Sequence, residues 1–137
     1  MTSYWIIKSE PHSYSFQQLE KDKITVWDGV RNYQARNNLQ AMKIGDKAFF
    51  YHSVGPKEIV GIAKVIKTAY PDPTTKENAW CAVDVEFQKY LTRPVKLSDL
   101  KSVKELTNLS LLRQVRLSVC PISKDEWDRI IRLSQEY

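Results

Sequence analysis

Only two cysteines and two histidines occur in 137 residues. Cys81 and Cys120 can close one disulfide at most, and both lie in apolar company, Cys120 directly before Pro121. Two buried, reduced thiols are the expected state. His12 and His52 show no ligand spacing with each other or with the cysteines, so no metal is expected. No apolar run approaches the ~20 residues that cross a bilayer, and no charged-then-apolar leader opens the chain. A cytoplasmic location, or a nuclear one in a eukaryote, is therefore expected, with no membrane partner. Glycine-rich phosphate loops and dinucleotide fingerprints are missing too. His52 and Ser53 are neighbours at a strand end, where their side chains diverge and make a poor dyad. Cys81 has no basic company. With no activated nucleophile, metal cluster or tuned acid–base pair, the chain reads as a binding module without a cofactor, not an enzyme.

What is present suits a single soluble domain spanning 1–137. Hydrophobic residues make up 42% of the chain, and the mean hydropathy is −0.46, enough for one real core. Twenty-one basic against sixteen acidic residues leave a net charge of +5, which suits a polyanionic partner. The stretch 27–43 carries Arg31, Arg36 and Lys43 against Asp28 alone.

The pattern along the chain predicts about six strands and three or four helices. Tyr4–Lys8 is aromatic and β-branched and reads as a first strand, stopped by Ser9-Glu10-Pro11. Ser15-Phe16-Gln17-Gln18 is a capping box before a short helix. Ile24–Trp27 is a brief strand that delivers the chain into Asp28-Gly29. Asn32 is placed to cap a helix of about ten residues, with Ala35, Leu39 and Met42 on one stripe and Tyr33, Arg36, Gln40 and Lys43 on another. Lys47–His52 and Glu58–Lys67 read as strands, the second with Gly61 marking a bulge or a close approach. Ala69–Asn78 reads as a surface loop and Trp80–Leu91 as a strand. Short helical patterns follow Pro94. Gln114–Val119 alternates as a strand should, with Val115, Leu117 and Val119 inward. Ser123-Lys124-Asp125-Glu126 opens a last helix. Strands dominate the middle without a βαβ rhythm. The expected class is α+β, a curved mixed β-barrel with helices covering its mouth and side.

Trp27-Asp28-Gly29-Val30-Arg31-Asn32-Tyr33-Gln34-Ala35-Arg36-Asn37 is the most informative segment. It sets two aromatics, two guanidiniums and two asparagines around one glycine turn. Rings stack on bases, amides read base edges and arginines pair with phosphates. Trp27 either walls a pocket or packs in the core. Asn32 either reads a base edge or caps its helix. Arg31 and Arg36 are phosphate contacts or members of structural ion pairs, Arg36 with Glu10 or Asp28 for example. Tyr33 belongs to the ligand-facing stripe. Ser9 and Glu10 end the first strand, where a carboxylate could accept from the exocyclic amine of a cytosine or adenine. Lys8 is a phosphate contact or a solvated edge charge. Tyr51 and His52 point to opposite faces of their strand, and alternation alone does not choose which lines the cavity.

Trp5-Ile6-Ile7-Lys8-Ser9-Glu10-Pro11, the 27–37 segment, Met42–Asp46, Phe49–Ser53, Val83-Asp84-Val85 and Arg116–Val119 together resemble the EVE domain family, including its thymocyte nuclear protein group. The resemblance covers the chain almost end to end. It implies a single-domain version of the PUA-like barrel, related to YTH domains that hold modified bases in a pocket. It further implies recognition of a modified base, such as methylated cytosine, in DNA or RNA, by a pocket between the 27–37 segment and the ends of strands 4–10 and 47–53. Cys120 departs from the polar residue that relatives usually carry before the proline. Two other readings stand beside this one: a small nucleotide-acting enzyme using Glu10 or His52, and a small-molecule or protein-interaction module on the same barrel.

Overall fold

A computed structural model of the chain describes residues 2–136. Among these residues six strands form one mixed sheet: β1 (Tyr4–Ser9), β2 (Ile24–Trp27), β3 (Lys47–His52), β4 (Glu58–Pro71), β5 (Cys81–Lys96) and β6 (Val119–Ile122). Their order is β2-β5-β4-β3-β1-β6. β1 and β3 are parallel, Tyr4 lying opposite Lys47 and Ser9 opposite His52, while the remaining neighbours are antiparallel. The sheet is curled around its core, and β2 and β6 remain its two edges instead of pairing to close it.

Among the described residues five α-helices cover the sheet: α1 (Phe16–Asp22), α2 (Tyr33–Ala41), α3 (Leu97–Ser102), α4 (Ser110–Arg113) and α5 (Lys124–Gln135). Their starts follow from local chemistry. Ser15 accepts the Gln18 amide and Asn32 accepts the Ala35 amide, each satisfying an orphan donor of the first turn. Ser123 and Glu126 form a complete capping box at α5. At α1 the box is half made, because the Gln18 side chain donates to Asp22 instead of turning back.

Aromatic packing ties the helices to the sheet. The Phe16 ring of α1 sits 5.0 Å from Phe50 of β3 and 5.0 Å from Phe87 of β5. Gly61 makes room for it: a Cβ there would lie 2.1 Å from the Phe16 ring. The register of β4 on β5 shifts beside Gly61, so the glycine marks both a bulge and a close approach. On the other side of the core Trp127 of α5 stacks on Phe49 at 3.8 Å. Trp5 donates its indole N–H to buried Asp46 at 3.0 Å, and Asp46 also accepts the Lys43 amide. One carboxylate thereby joins β1 to the turn that enters β3.

Three expectations change. β4 extends to Pro71 and β5 starts at Cys81, so the expected 69–78 loop loses its first three residues to strand and the connection runs over 72–80. β5 also runs through Pro94 to Lys96. The ladder passes from Tyr90 opposite Gly61 to Val95 opposite Ile59, so Pro94 falls in an irregular stretch where its missing N–H breaks no regular pairing. Finally, 114–118 is a turn, and the strand begins only at Val119. Leu117 donates its amide to Gln114 and is buried, whereas Val115 is 75% exposed. Alternation over so short a segment arises here from one anchored leucine in a turn.

Candidate functional site

A cavity of about 550 Å³ opens where the ends of β1 and β2 meet. Lys8, Ser9 and Glu10 supply one rim and Thr25 to Arg31 the other, with Tyr14 and Ser118 completing the wall. Each group is there for a local reason. Lys8 and Ser9 are the last residues of β1, and the chain then turns, the Ser13 and Tyr14 amides both donating to the Glu10 carbonyl. Ser9 donates its hydroxyl to the Tyr14 carbonyl at 2.6 Å, which closes that turn. Trp27 is the last residue of β2, paired with Val83 of β5. Its ring meets Phe50 edge-on at 5.5 Å and Tyr14 edge-on at 6.5 Å. Trp27 is thus both core and wall, since it is 8% exposed and its accessible part borders the cavity.

Asp72 fixes the second rim from behind. It is buried, accepts the Gly29 amide at 2.9 Å and pairs with the Arg31 guanidinium at 2.9 Å. Thr74 donates both amide and hydroxyl to it. Burial works to raise the Asp72 pKa, but the bonds from Thr74, Arg31 and Gly29 outweigh it and hold the carboxyl well below the usual range. Gly29, at φ 76°, provides the left-handed turn that aims its amide at Asp72. Arg31 also reaches the Val30 carbonyl and the Thr74 hydroxyl. Three of its five donors are so engaged; Nε and one Nη2 proton have no partner among the described residues. Asp28 on the same rim has its pKa raised, by burial and then by the Asp72 charge.

The comparisons agree with this architecture. The EVE domain family model matches residues 3–133. The chain belongs to the EVE domain family. Human thymocyte nuclear protein 1 is 38% identical to it, over 99% of this chain and 76% of that protein. Two solved structures superimpose closely. Human THYN1 protein in complex with 5-methylcytosine-containing DNA has a TM-score of 0.93 at 37% identity, covering 99% of each chain. A hypothetical protein from Leishmania major has a TM-score of 0.93 at 41% identity, over 98% of this chain and 96% of that one.

Of the residues singled out from sequence, this EVE domain gathers Lys8, Ser9, Glu10, Trp27 and Arg31 around one cavity. The other five lie elsewhere. Asn32 spends its side-chain oxygen on the Ala35 amide as the cap of α2. Tyr33 is exposed and stacks on Trp80 at 4.9 Å. Arg36 lies over the Tyr33 ring at 5.0 Å and donates to the Ala79 carbonyl and to Asn37, not to Glu10 or Asp28. His52 accepts the Phe16 amide through Nε2, and burial lowers its pKa; the neutral imidazole serves as a cap for α1. Tyr51 is buried and borders a different hollow. Helical periodicity had put Tyr33 and Arg36 on a ligand stripe, but α2 turns that stripe toward the 79–80 connection.

Asp28, Tyr14 and Ser118 line the cavity without having been named as site residues. Asp28 and Ser118 each lie within a family-like motif, so their signal was present. Tyr14 was not legible, because its place depends on the turn after β1.

Proposed function

We propose that this EVE domain reads a modified base, methylated cytosine in DNA being the first candidate, by enclosing it against Trp27. The observation that carries this reading is the cavity itself. An indole held edge-on by Phe50 and Tyr14 forms its wall, and two carboxylates, Glu10 and Asp28, border it. A carboxylate accepts from the exocyclic N4 amine of cytosine, and an apolar ring favours a methyl group on the base. A volume near 550 Å³ lies in the range of small-ligand pockets. Arg31 stands at the rim with donors to spare for a phosphate. The human relative solved with 5-methylcytosine-containing DNA shares this fold and nearly the whole chain.

A binding role also fits the state of the titratable groups. The His52 imidazole is engaged at the start of α1, and Glu10 is exposed and paired with His12 at 3.1 Å. For a eukaryotic cell a nuclear location follows from a DNA-reading role, in keeping with the name of the relatives.

Fluorescence anisotropy on matched oligonucleotides with and without 5-methylcytosine, in single and double strands, tests the reading. Wild type is expected to prefer the methylated probe. Trp27→Phe, which keeps an aromatic core contact, and Asp28→Asn should each weaken that binding about tenfold, as for loss of one good stacking contact or charged hydrogen bond. Equal affinity of wild type and both variants for the methylated probe would sink the assignment.

A further inference from the structure

Lys8, which lines Trp27's cavity, also borders a second hollow of about 180 Å³. Leu97 and Leu111 give this hollow apolar walls, while its charged lining consists of Lys8, Lys57 and Lys101, with no carboxylate. Tyr51 reaches it from β3. That residue is 4% exposed, and its hydroxyl has no hydrogen-bond partner among the described residues. No enclosed side-chain oxygen or nitrogen lacks a partner among those residues, so the hydroxyl opens onto the hollow. Burial raises the Tyr51 pKa, which keeps the group a neutral O–H donor near pH 7.

The ammonium groups are largely unspent as well. Lys57 and Lys101 enter no ion pair among the described residues, and the Lys8 amine donates to the Val115 carbonyl at 3.0 Å, which uses one of its three protons. The hollow thus offers hydrogen-bond donors and positive charge and presents no competing carboxylate. The complementary ligand is an oxyanion rich in acceptor oxygens.

We propose that this hollow is a phosphate subsite, holding a backbone phosphate of the strand whose base enters the Trp27 cavity. The placement rests on the base-reading function proposed above. Lys8 is common to both hollows, so an anion bound here sits one side chain away from the base. Phosphate contacts of this kind set register and affinity without reading sequence.

The salt dependence of oligonucleotide binding decides the matter. In the Lys57→Gln/Lys101→Gln double variant, the slope of log K against log salt should become shallower by about 0.7 to 0.9, the loss of one phosphate contact. Affinity at fixed salt should drop about tenfold, while the ratio between methylated and unmethylated probes stays as in wild type. Tyr51→Phe should weaken binding several-fold at unchanged Tm. An unchanged slope in the double variant overturns the proposal. Titration with inorganic phosphate, followed by NMR, separates the two sources of the anion: perturbation at Tyr51 together with an unchanged slope marks a site for free anions and overturns the strand assignment. A wild type that binds oligonucleotides without preferring the methylated base defeats the base-reading proposal instead, and leaves the slope change as the measure of the subsite.

Discussion

At the scale of single residues, Asp72 carries more of the site than its position suggests. It does not line the cavity, yet its carboxylate anchors Gly29, Arg31 and Thr74 at once. Its pKa is lowered on folding, so its contribution is fully present above the unfolded value near 4 and is lost as pH falls through the folded value. Asp72→Asn is therefore expected to cost about 3 kcal/mol at pH 7, the low end for a broken buried pair because Arg31 is partly exposed. The gap in Tm between wild type and variant should narrow steadily as pH is lowered below about 4. A gap independent of pH would show that the charge on Asp72 is not what holds the rim. Asp28, far from Asp72 in sequence, shows the converse: its pKa is raised by burial and by the Asp72 charge, so it gains readily from any ligand group that donates to it.

At the scale of elements, α2 separates two roles that the sequence left joined. Asn32 is an N-cap whose oxygen is already bonded to Ala35. Asn32→Ala should lower stability by about 1 kcal/mol and leave the affinity for a methylated oligonucleotide within twofold of wild type. Thermal melting and anisotropy on the same preparation check this, and a loss of binding larger than the loss of stability would return Asn32 to the site. Tyr33, Arg36, Trp80 and Arg31 are connected by stacking and cation–π contacts, which hold the start of α2 against the connection between β4 and β5. The Arg31 guanidinium at the cavity rim is thereby held in place by these contacts and by Asp72.

At the scale of the whole molecule, one hydrophobic core reaches from α1 across the sheet to α5, and the cavity sits at its edge, with Trp27 belonging to both. Unfolding should accordingly be a single cooperative transition, with near-UV and far-UV circular dichroism giving coincident midpoints; two separated midpoints would show that the helical cover and the sheet are independent units. Much of this organisation was legible in the chain. Strands announced by β-branched and aromatic runs, such as Tyr4–Lys8 and Ile24–Trp27, and helices announced by Ser15, Asn32 and Ser123, form where those residues put them, because capping and period-2 patterning act over a few residues. The 114–118 turn and the passage of β5 through Pro94 were not legible, because a bulge in the β4–β5 ladder and the contact of Lys8 with Val115 are made by distant parts of the chain.

The candidate site divides along the same line. The residue types, the glycine turn after Trp27 and the net positive charge are properties of the chain itself, and they determined that a planar, anionic ligand was the one to expect. Which side chains share a cavity was decided only when β1 and β2 were brought together across the sheet. Tertiary packing gave Asn32, Arg36 and His52 backbone and side-chain partners of their own, drew Tyr14 to the Trp27 wall, and left the Tyr51 hydroxyl facing a separate hollow. Side-chain chemistry is local and can be read in order, whereas the partners that use it up or leave it free come from residues far away in the chain.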